Sequence, residues 1–274
     1  MKLLRYGSPG NEMPGVLDAN GNIRSLKHVV PDITGELLSS SQLMDVNVDA
    51  LPVVADPVRV GPCIANVGKF ICIGLNYADH AAESGMATPE EPEVFTKATS
   101  AICGPNDNII QPKNSQKLDW EVELAIIIGK RASYVAEQDA AQYIGGYCVC
   151  NDVSERLFQL EKGTQWDKGK GCDTFGPIGT PDEIADPLNL DMWLEVNGHR
   201  YQNGSTRTMI FSPAYIVSYL SQFMSLLPGD VISTGTPPGV GLGQKPPVYL
   251  NVGDKITLGI EGLGTQSQVV VGLD

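Results

Sequence analysis

Apolar positions along this chain come in short runs separated by Gly and Pro, not in long amphipathic stripes. The most continuous run is Val122–Ile128, closed by Gly129. A run of that length and composition reads as a strand buried on both faces, here within a longer strand over residues 118–129. Residues 69–75, 147–153, 190–196, 230–233, 255–260 and 268–271 read as further strands by the same signals. Near the N-terminus, 2–6, 15–18 and 23–25 are short strand candidates, with Asn20-Gly21 as a hairpin turn. Asn197-Gly198 joins 190–196 to 199–202 in the same way. Helical patterns are few: 76–84 ended by Gly85, 137–144 stopped by Gly145-Gly146, 154–160, and a segment that Ser212-Pro213 opens with a cap residue and a first-turn proline and that runs to about Met224. Residues 45–56 lead into Pro57, Gly61 and Pro62, a stretch that predicts a boundary between a small β-rich domain over 1–65 and a larger domain over 66–274. Strands dominate, and 30 glycines and 19 prolines suit many turns. The expected fold class is a mixed, β-rich α+β protein.

Charge narrows the partners. A formal net charge of -13 repels polyanions, so nucleic acid and anionic membrane surfaces are excluded as expected partners. No apolar stretch approaches the length of a membrane span, and the first residues lack the apolar core of a signal peptide, which predicts a cytoplasmic protein. Six scattered cysteines without a CxxC read as reduced and buried. Cys148 and Cys150 share one strand face, but two thiols without further ligands make a weak metal case.

Candidate chemistry centres on acids. Glu121 and Glu123 stand two residues apart in an apolar run, so in a strand they project side by side next to a core. Two buried carboxylates that close repel unless a proton, a basic side chain or a metal ion intervenes. Asp152 ends the strand candidate at 147–153. Three carboxylates without a histidine or thiolate make a hard oxygen site suited to Mg²⁺ or Mn²⁺; the plain alternative is an exposed edge strand with solvated acids. His80 and Glu83 are three apart on a short helix, where a carboxylate orients an imidazole for general-base work on water, or where the two form a surface ion pair. His28 and His199 lack such company and read as surface residues. Lys168 and Lys170 lie in a glycine-containing loop that could approach an anion or leave both solvated. The segment 233–241 offers hydroxyls and glycine N–H groups to a carboxylate, or is a turn. Lys97 after Phe95-Thr96, and Arg156 with Gln159, add possible anion contacts.

Gly74-Leu75-Asn76-Tyr77-Ala78-Asp79-His80, Asp119-Trp120-Glu121-Val122-Glu123-Leu124, Asn151-Asp152-Val153-Ser154, Lys170-Gly171-Cys172-Asp173-Thr174-Phe175 and Thr234-Gly235-Thr236-Pro237 follow one another in this order. Together they resemble the fumarylacetoacetate hydrolase family over about residues 66–274. The first sixty-odd residues are similar to the N-terminal lobe of a bacterial subgroup that hydrolyses 2,4-diketo-3-deoxy sugar acids such as rhamnonate and fuconate derivatives. The resemblance implies a mixed β-roll, a homodimer or higher homo-oligomer, and Mg²⁺ or Mn²⁺ held by Glu121, Glu123 and Asp152. It implies that His80 and Glu83 activate water on a mobile lid segment and that Lys170 faces the bound substrate. Lys97, Arg156, Gln159 and Thr236 match substrate contacts. The implied reaction is hydrolysis of the C–C bond of an acylpyruvate to pyruvate and a small hydroxy acid. Oxaloacetate decarboxylation, isomerisation or hydration of 2-oxo-dienoates, ureidoglycolate cleavage and a silent metabolite-binding role are the alternatives, because fold and metal site do not fix the reaction.

Overall fold

The structure is a computed structural model that describes residues 1–55, 57–83, 87–180, 182 and 184–273. Its centre is a five-stranded sheet in the order Ile144–Asn151, Val122–Ile128, Val231–Ser233, Phe70–Gly74, Glu93–Lys97. The Val231–Ser233 and Phe70–Gly74 strands run parallel, and the other pairs are antiparallel. A second five-stranded sheet, His199–Ser205, Asp191–Val196, Lys255–Ile260, Gly264–Val271 and Ile109–Ile110, lies against the first. Every residue of Val122–Ile128 is buried, as an apolar run covered on both faces requires. Its even positions, Val122, Leu124, Ile126 and Ile128, join Met192, Leu194, Ile256 and Leu258 in the core between the two sheets. Ala125 and Ile127 point the other way and pack with Leu3, Val16, Leu26 and Ile33. The N-terminal segment, built on the three strands Leu3–Tyr6, Met13–Leu17 and Ile23–Ser25, therefore covers the back of the central sheet. Strands outnumber helices throughout, and the fold is mixed α+β.

Several element boundaries differ from the sequence pattern, each for a local reason. The strand expected over 118–129 is broken at Trp120-Glu121. Leu118–Asp119 leaves the sheet to pair with Ser154–Glu155, and the continuous strand begins at Val122. The helix opened by Ser212 does carry the expected cap, its hydroxyl accepting from the Tyr215 N–H at 3.1 Å, but ends at Leu220 and not near Met224. The helix expected over 76–84 is Ala78–Glu83; its expected stop at Gly85 lies outside the described residues. All six cysteines are free, Cys172 alone being only partly buried. His28 and His199 are exposed. Among the described residues no helix is long and apolar enough to cross a membrane.

Candidate active site

Strand register brings the three acids together. In the antiparallel pair Ile144–Asn151 with Val122–Ile128, Cys150 stands opposite Glu123 and Asn151 opposite Val122. One step further Asp152 faces Glu121, its N–H donating to the Glu121 carbonyl at 2.9 Å. Glu123 is the next residue on the same side of that strand. One carboxylate oxygen from each of Glu121, Glu123 and Asp152 lies within 4.8 Å of the others, and all three residues are buried. A one-residue slip would send Asp152 to the opposite face and dissolve the cluster.

Each acid is fixed by a different set of donors. Lys170 Nζ bridges Glu121 Oε2 at 2.6 Å and Asp152 Oδ2 at 2.8 Å. Arg156 Nη2 donates to Glu121 Oε1 at 2.6 Å, and its Nη1 to Gln159 Oε1 at 3.0 Å. Lys97 Nζ donates to Asp152 Oδ1 at 2.5 Å and to the Val153 carbonyl. Among the described residues Glu123 accepts from no ammonium or guanidinium; the Ser233 hydroxyl and the Gly235 N–H donate to its Oε2 at 2.5 and 2.9 Å. Gly235 has φ +98°, the left-handed region that favours glycine, and this turn is what aims its N–H at the carboxylate. Within 233–241 the Ser233 hydroxyl and the Gly235 N–H thus serve a carboxylate of the protein itself, while the Thr234 and Thr236 hydroxyls donate to the Leu124 and Val122 carbonyls.

The electrostatics follow from this division. Burial pushes the Glu123 carboxyl well above the ordinary range, and the Asp152 and Glu121 charges push it the same way. Burial also acts on Glu121, but Lys170 and Arg156 outweigh it and hold that carboxyl well below the ordinary range. Burial disfavours the charged Lys170 ammonium, yet Asp152 and Glu121 more than offset this and hold its proton more firmly than usual. The unrelieved repulsion at Glu123 is what a divalent cation among three hard oxygens would remove, so the donor set fits such an ion.

The acids open onto a cavity of about 270 Å³, and Glu121 and Glu123 form part of its wall. His80, Glu83, Lys170, Arg156, Gln159 and Thr236 line the same cavity. Phe95 and Trp166, packed edge to face at 5.4 Å, form an apolar flank beneath Lys170, whose Nζ lies 5.0 Å from the Phe95 ring centre. His80 reaches the cavity from the Ala78–Glu83 helix. Buried Asn76 fixes the start of this segment by donating to the Phe211 and Thr234 carbonyls and accepting from the Phe211 N–H. His80 Nδ1 meets Glu83 Oε2 at 3.3 Å. That hydrogen bond is the main cause that holds the Glu83 carboxyl below its usual value; partial burial opposes it and the Gly239 N–H reinforces it.

The sequence-derived candidates do not all face the cavity. Lys97, expected among substrate contacts, does not line it: its ammonium sits behind Asp152, with a side chain 0% exposed. Thr236 lines the cavity but already donates to the Val122 carbonyl and accepts from Gln202. Of the two loop lysines, Lys170 is buried at the site, whereas Lys168 is exposed. The sequence pattern assigns no role to Asp119, Asn76 or the cavity-lining Lys245. Asp119 and Asn76 carry a signal, since both lie within the ordered motifs.

Residues 69–271 match the family described as fumarylacetoacetate (FAA) hydrolase C-terminal. The chain is similar to the solved fumarylacetoacetate hydrolase of psychrophilic Exiguobacterium antarcticum, with 38% identity, a TM-score of 0.90 and 100% of each chain covered. It is also similar to 5-carboxymethyl-2-hydroxymuconate delta-isomerase from Mycobacterium smegmatis, at 33% identity and a TM-score of 0.79, again over 100% of each chain. A Burkholderia multivorans protein, provisionally named a hydrolase, is 60% identical over 277 residues, 98% of either chain.

Proposed function

The chain belongs to the fumarylacetoacetate hydrolase family, and from that premise we propose that it is a divalent-metal-dependent hydrolase that cleaves the C–C bond of a 2,4-diketo acid, of the 2,4-diketo-3-deoxy sugar-acid type, to pyruvate and a small hydroxy acid. The observation that carries this reading is one cavity lined by Glu121 and Glu123 of the acid cluster, by the His80–Glu83 pair and by Lys170. Glu121, Glu123 and Asp152 would hold Mg²⁺ or Mn²⁺. When bound, the cation supplies Lewis-acid polarisation and a fixed anchor for an α-keto carboxylate.

The chain's own residues supply the rest. His80, oriented by Glu83, takes a proton from a water whose oxygen attacks the C4 carbonyl. The C3–C4 bond breaks, C4 leaves as the carboxylic acid group of the hydroxy acid, which ionises by releasing its proton to solvent, and the bonding electrons pass into the enolate of pyruvate. Two of the three Lys170 N–H groups bond Glu121 and Asp152, which leaves one for the developing negative oxygen. The proton held by His80 returns to C3. Arg156 and Gln159 stand on the same wall and orient the acid, while Phe95 and Trp166 exclude bulk water from one flank.

A second reading, isomerisation of a 2-oxo-dienoate, is supported by the similarity to the mycobacterial delta-isomerase. A panel of 2,4-diketo acids, 2-oxo-dienoates, oxaloacetate and ureidoglycolate, assayed with Mg²⁺ and with Mn²⁺, separates the two. Release of pyruvate and a hydroxy acid from a diketo acid supports hydrolysis. An absorbance change on a dienoate with no cleavage product, and no turnover of any diketo acid, overturns it in favour of isomerisation.

A further inference from the structure

Asp119 is fully buried, is not one of the three clustered acids, and accepts from four donors. Its Oδ1 accepts from the N–H of Trp120 at 2.8 Å and of Gly241 at 2.7 Å. Its Oδ2 accepts from Arg156 Nε at 2.8 Å and from the Leu242 N–H at 3.0 Å. One carboxylate therefore ties the guanidinium that holds Glu121 to the backbone of the loop at 239–243. The Trp120 indole N–H adds a bond to the Gly239 carbonyl at 3.1 Å.

The same loop seats the other half of the site. The Gly239 N–H donates to both Glu83 oxygens, at 3.2 and 3.1 Å, and Glu83 in turn holds His80. Gly243 lies against that carboxylate: a Cβ there would stand 2.8 Å from Glu83 Cδ and 2.9 Å from its Oε2. Glycine at 243 is thus a space requirement of the Glu83 carboxylate.

We propose that Asp119 and the 239–243 loop are positioning elements that couple the acid cluster to the histidine: Asp119 fixes Arg156 and the loop together, and the loop fixes Glu83 and, through it, His80. This rests on the hydrolase reading for its kinetic arm, while its structural arm stands without it. The chemistry of the coupling is strict. An amide in place of the carboxylate keeps one acceptor oxygen and turns an NH₂ donor toward either the Trp120 and Gly241 N–H groups or Arg156 and the Leu242 N–H, so one pair of bonds is lost whichever way it faces.

The test combines Asp119→Asn with Gly243→Ala, which reach the same dyad from opposite ends. Amide exchange of Asp119→Asn should rise at residues 239–242 and also at 78–83, although Asp119 touches no residue of the latter segment. On the panel substrate that wild type turns over best, kcat should fall by about 10²-fold, the cost of displacing a reacting group by about 1 Å. The loss in kcat should exceed any change in KM or in Mn²⁺ affinity, read by electron paramagnetic resonance, because Arg156 keeps its bonds to Glu121 and Gln159. Gly243→Ala should give the same kcat loss with normal protection of the Gly241 and Leu242 amides, because Asp119 is intact. Wild-type exchange at 78–83 in Asp119→Asn, or wild-type kcat in Gly243→Ala, overturns the proposal. If Asp119→Asn does not fold, Gly243→Ala decides alone. If wild type turns over no panel substrate, the hydrolase reading fails, and the exchange of residues 78–83 still decides the coupling.

Discussion

Glu121, Glu123 and Asp152 stand on or at the ends of central-sheet strands, and each side chain is held by at least two buried donors: Arg156 and Lys170, Ser233 and Gly235, Lys97 and Lys170. His80 stands on a helix of six residues and meets Glu83, itself bound to a loop N–H. The acid side is built into strand register and buried ion pairs, which shift only with the sheet. The histidine side depends on a helix too short to be stable alone and on contacts made through a loop. An enzyme that holds an anionic substrate and then attacks it with water gains from such a division. On the proposed reading the acid side would be the preorganised anchor and the His80 side the group that handles the proton.

The largest expected effects test the acid side. A chelator should abolish activity, and Mg²⁺ or Mn²⁺ should restore it. Glu123→Ala should remove most metal affinity and bring turnover to background, because one of three hard ligands is lost and the strand offers no replacement. Full activity in excess chelator would remove the anchor from the comparison altogether. On the histidine side, His80→Ala should lower kcat by about 10²–10⁴-fold, the usual contribution of a general base, with Mn²⁺ affinity retained. Near wild-type hydrolysis of a diketo acid by that variant would show that the two sides do not divide the work as described.

A smaller effect is expected at the seam. Lys170 touches two of the three acids from the cavity wall. With three carboxylates and a divalent ion, the site carries a net charge near -1, and chelating an acid there is unfavourable without a nearby cation. Lys170→Met should therefore weaken oxalate binding and turnover by about 10–100-fold, the value of a hydrogen bond to a charged group. Mn²⁺ affinity should be equal or higher, because the ammonium opposes the ion. Unchanged oxalate affinity in a calorimetric titration would place Lys170 outside the substrate's reach.

Much of the acid side was legible in the sequence, and the reason is periodicity. Glu121 and Glu123 at two-residue spacing, and an acid at the end of another apolar run, are visible without a structure. That Asp152 faces Glu121 is a matter of register, which local pattern leaves open. The same limit explains Lys97: one-dimensional spacing places it near the site but does not say from which side it approaches Asp152. Asp119 lies inside the motif Asp119–Leu124, yet local pattern gives it no role, because its four donors come from three separate stretches of chain. The break at Trp120-Glu121 has the same origin. An apolar run predicts a continuous strand, whereas the partners at Ser154–Glu155 and at 239–242 draw its first residues away from the sheet.

The smallest effect expected is the order in which the two sides release on acidification. Both Glu83 and Glu121 have carboxyls held below their usual value, Glu83 chiefly by His80 against partial burial, Glu121 by Lys170 and Arg156 against full burial. A carboxyl lowered by folding adds stability that is fully present above its unfolded value, about 4.3 for a glutamate, and that is lost as pH falls through the folded value. Glu83 is partly exposed and bound to one imidazole and one loop N–H, whereas Glu121 is buried between Lys170 and Arg156, so the Glu83 contacts should fail first. Solvent screening keeps the Glu83 contribution modest. Amide exchange measured from about pH 6 down to about pH 3, corrected for intrinsic rates, should show protection lost at residues 78–83 and 239–242 while Val122–Ile128 stays protected. The Gly243→Ala variant, which crowds the Glu83 carboxylate, should move the first loss to higher pH and leave the strand unaffected. A single transition in which helix, loop and strand lose protection together would mean that the histidine side is no less firmly built than the acid side.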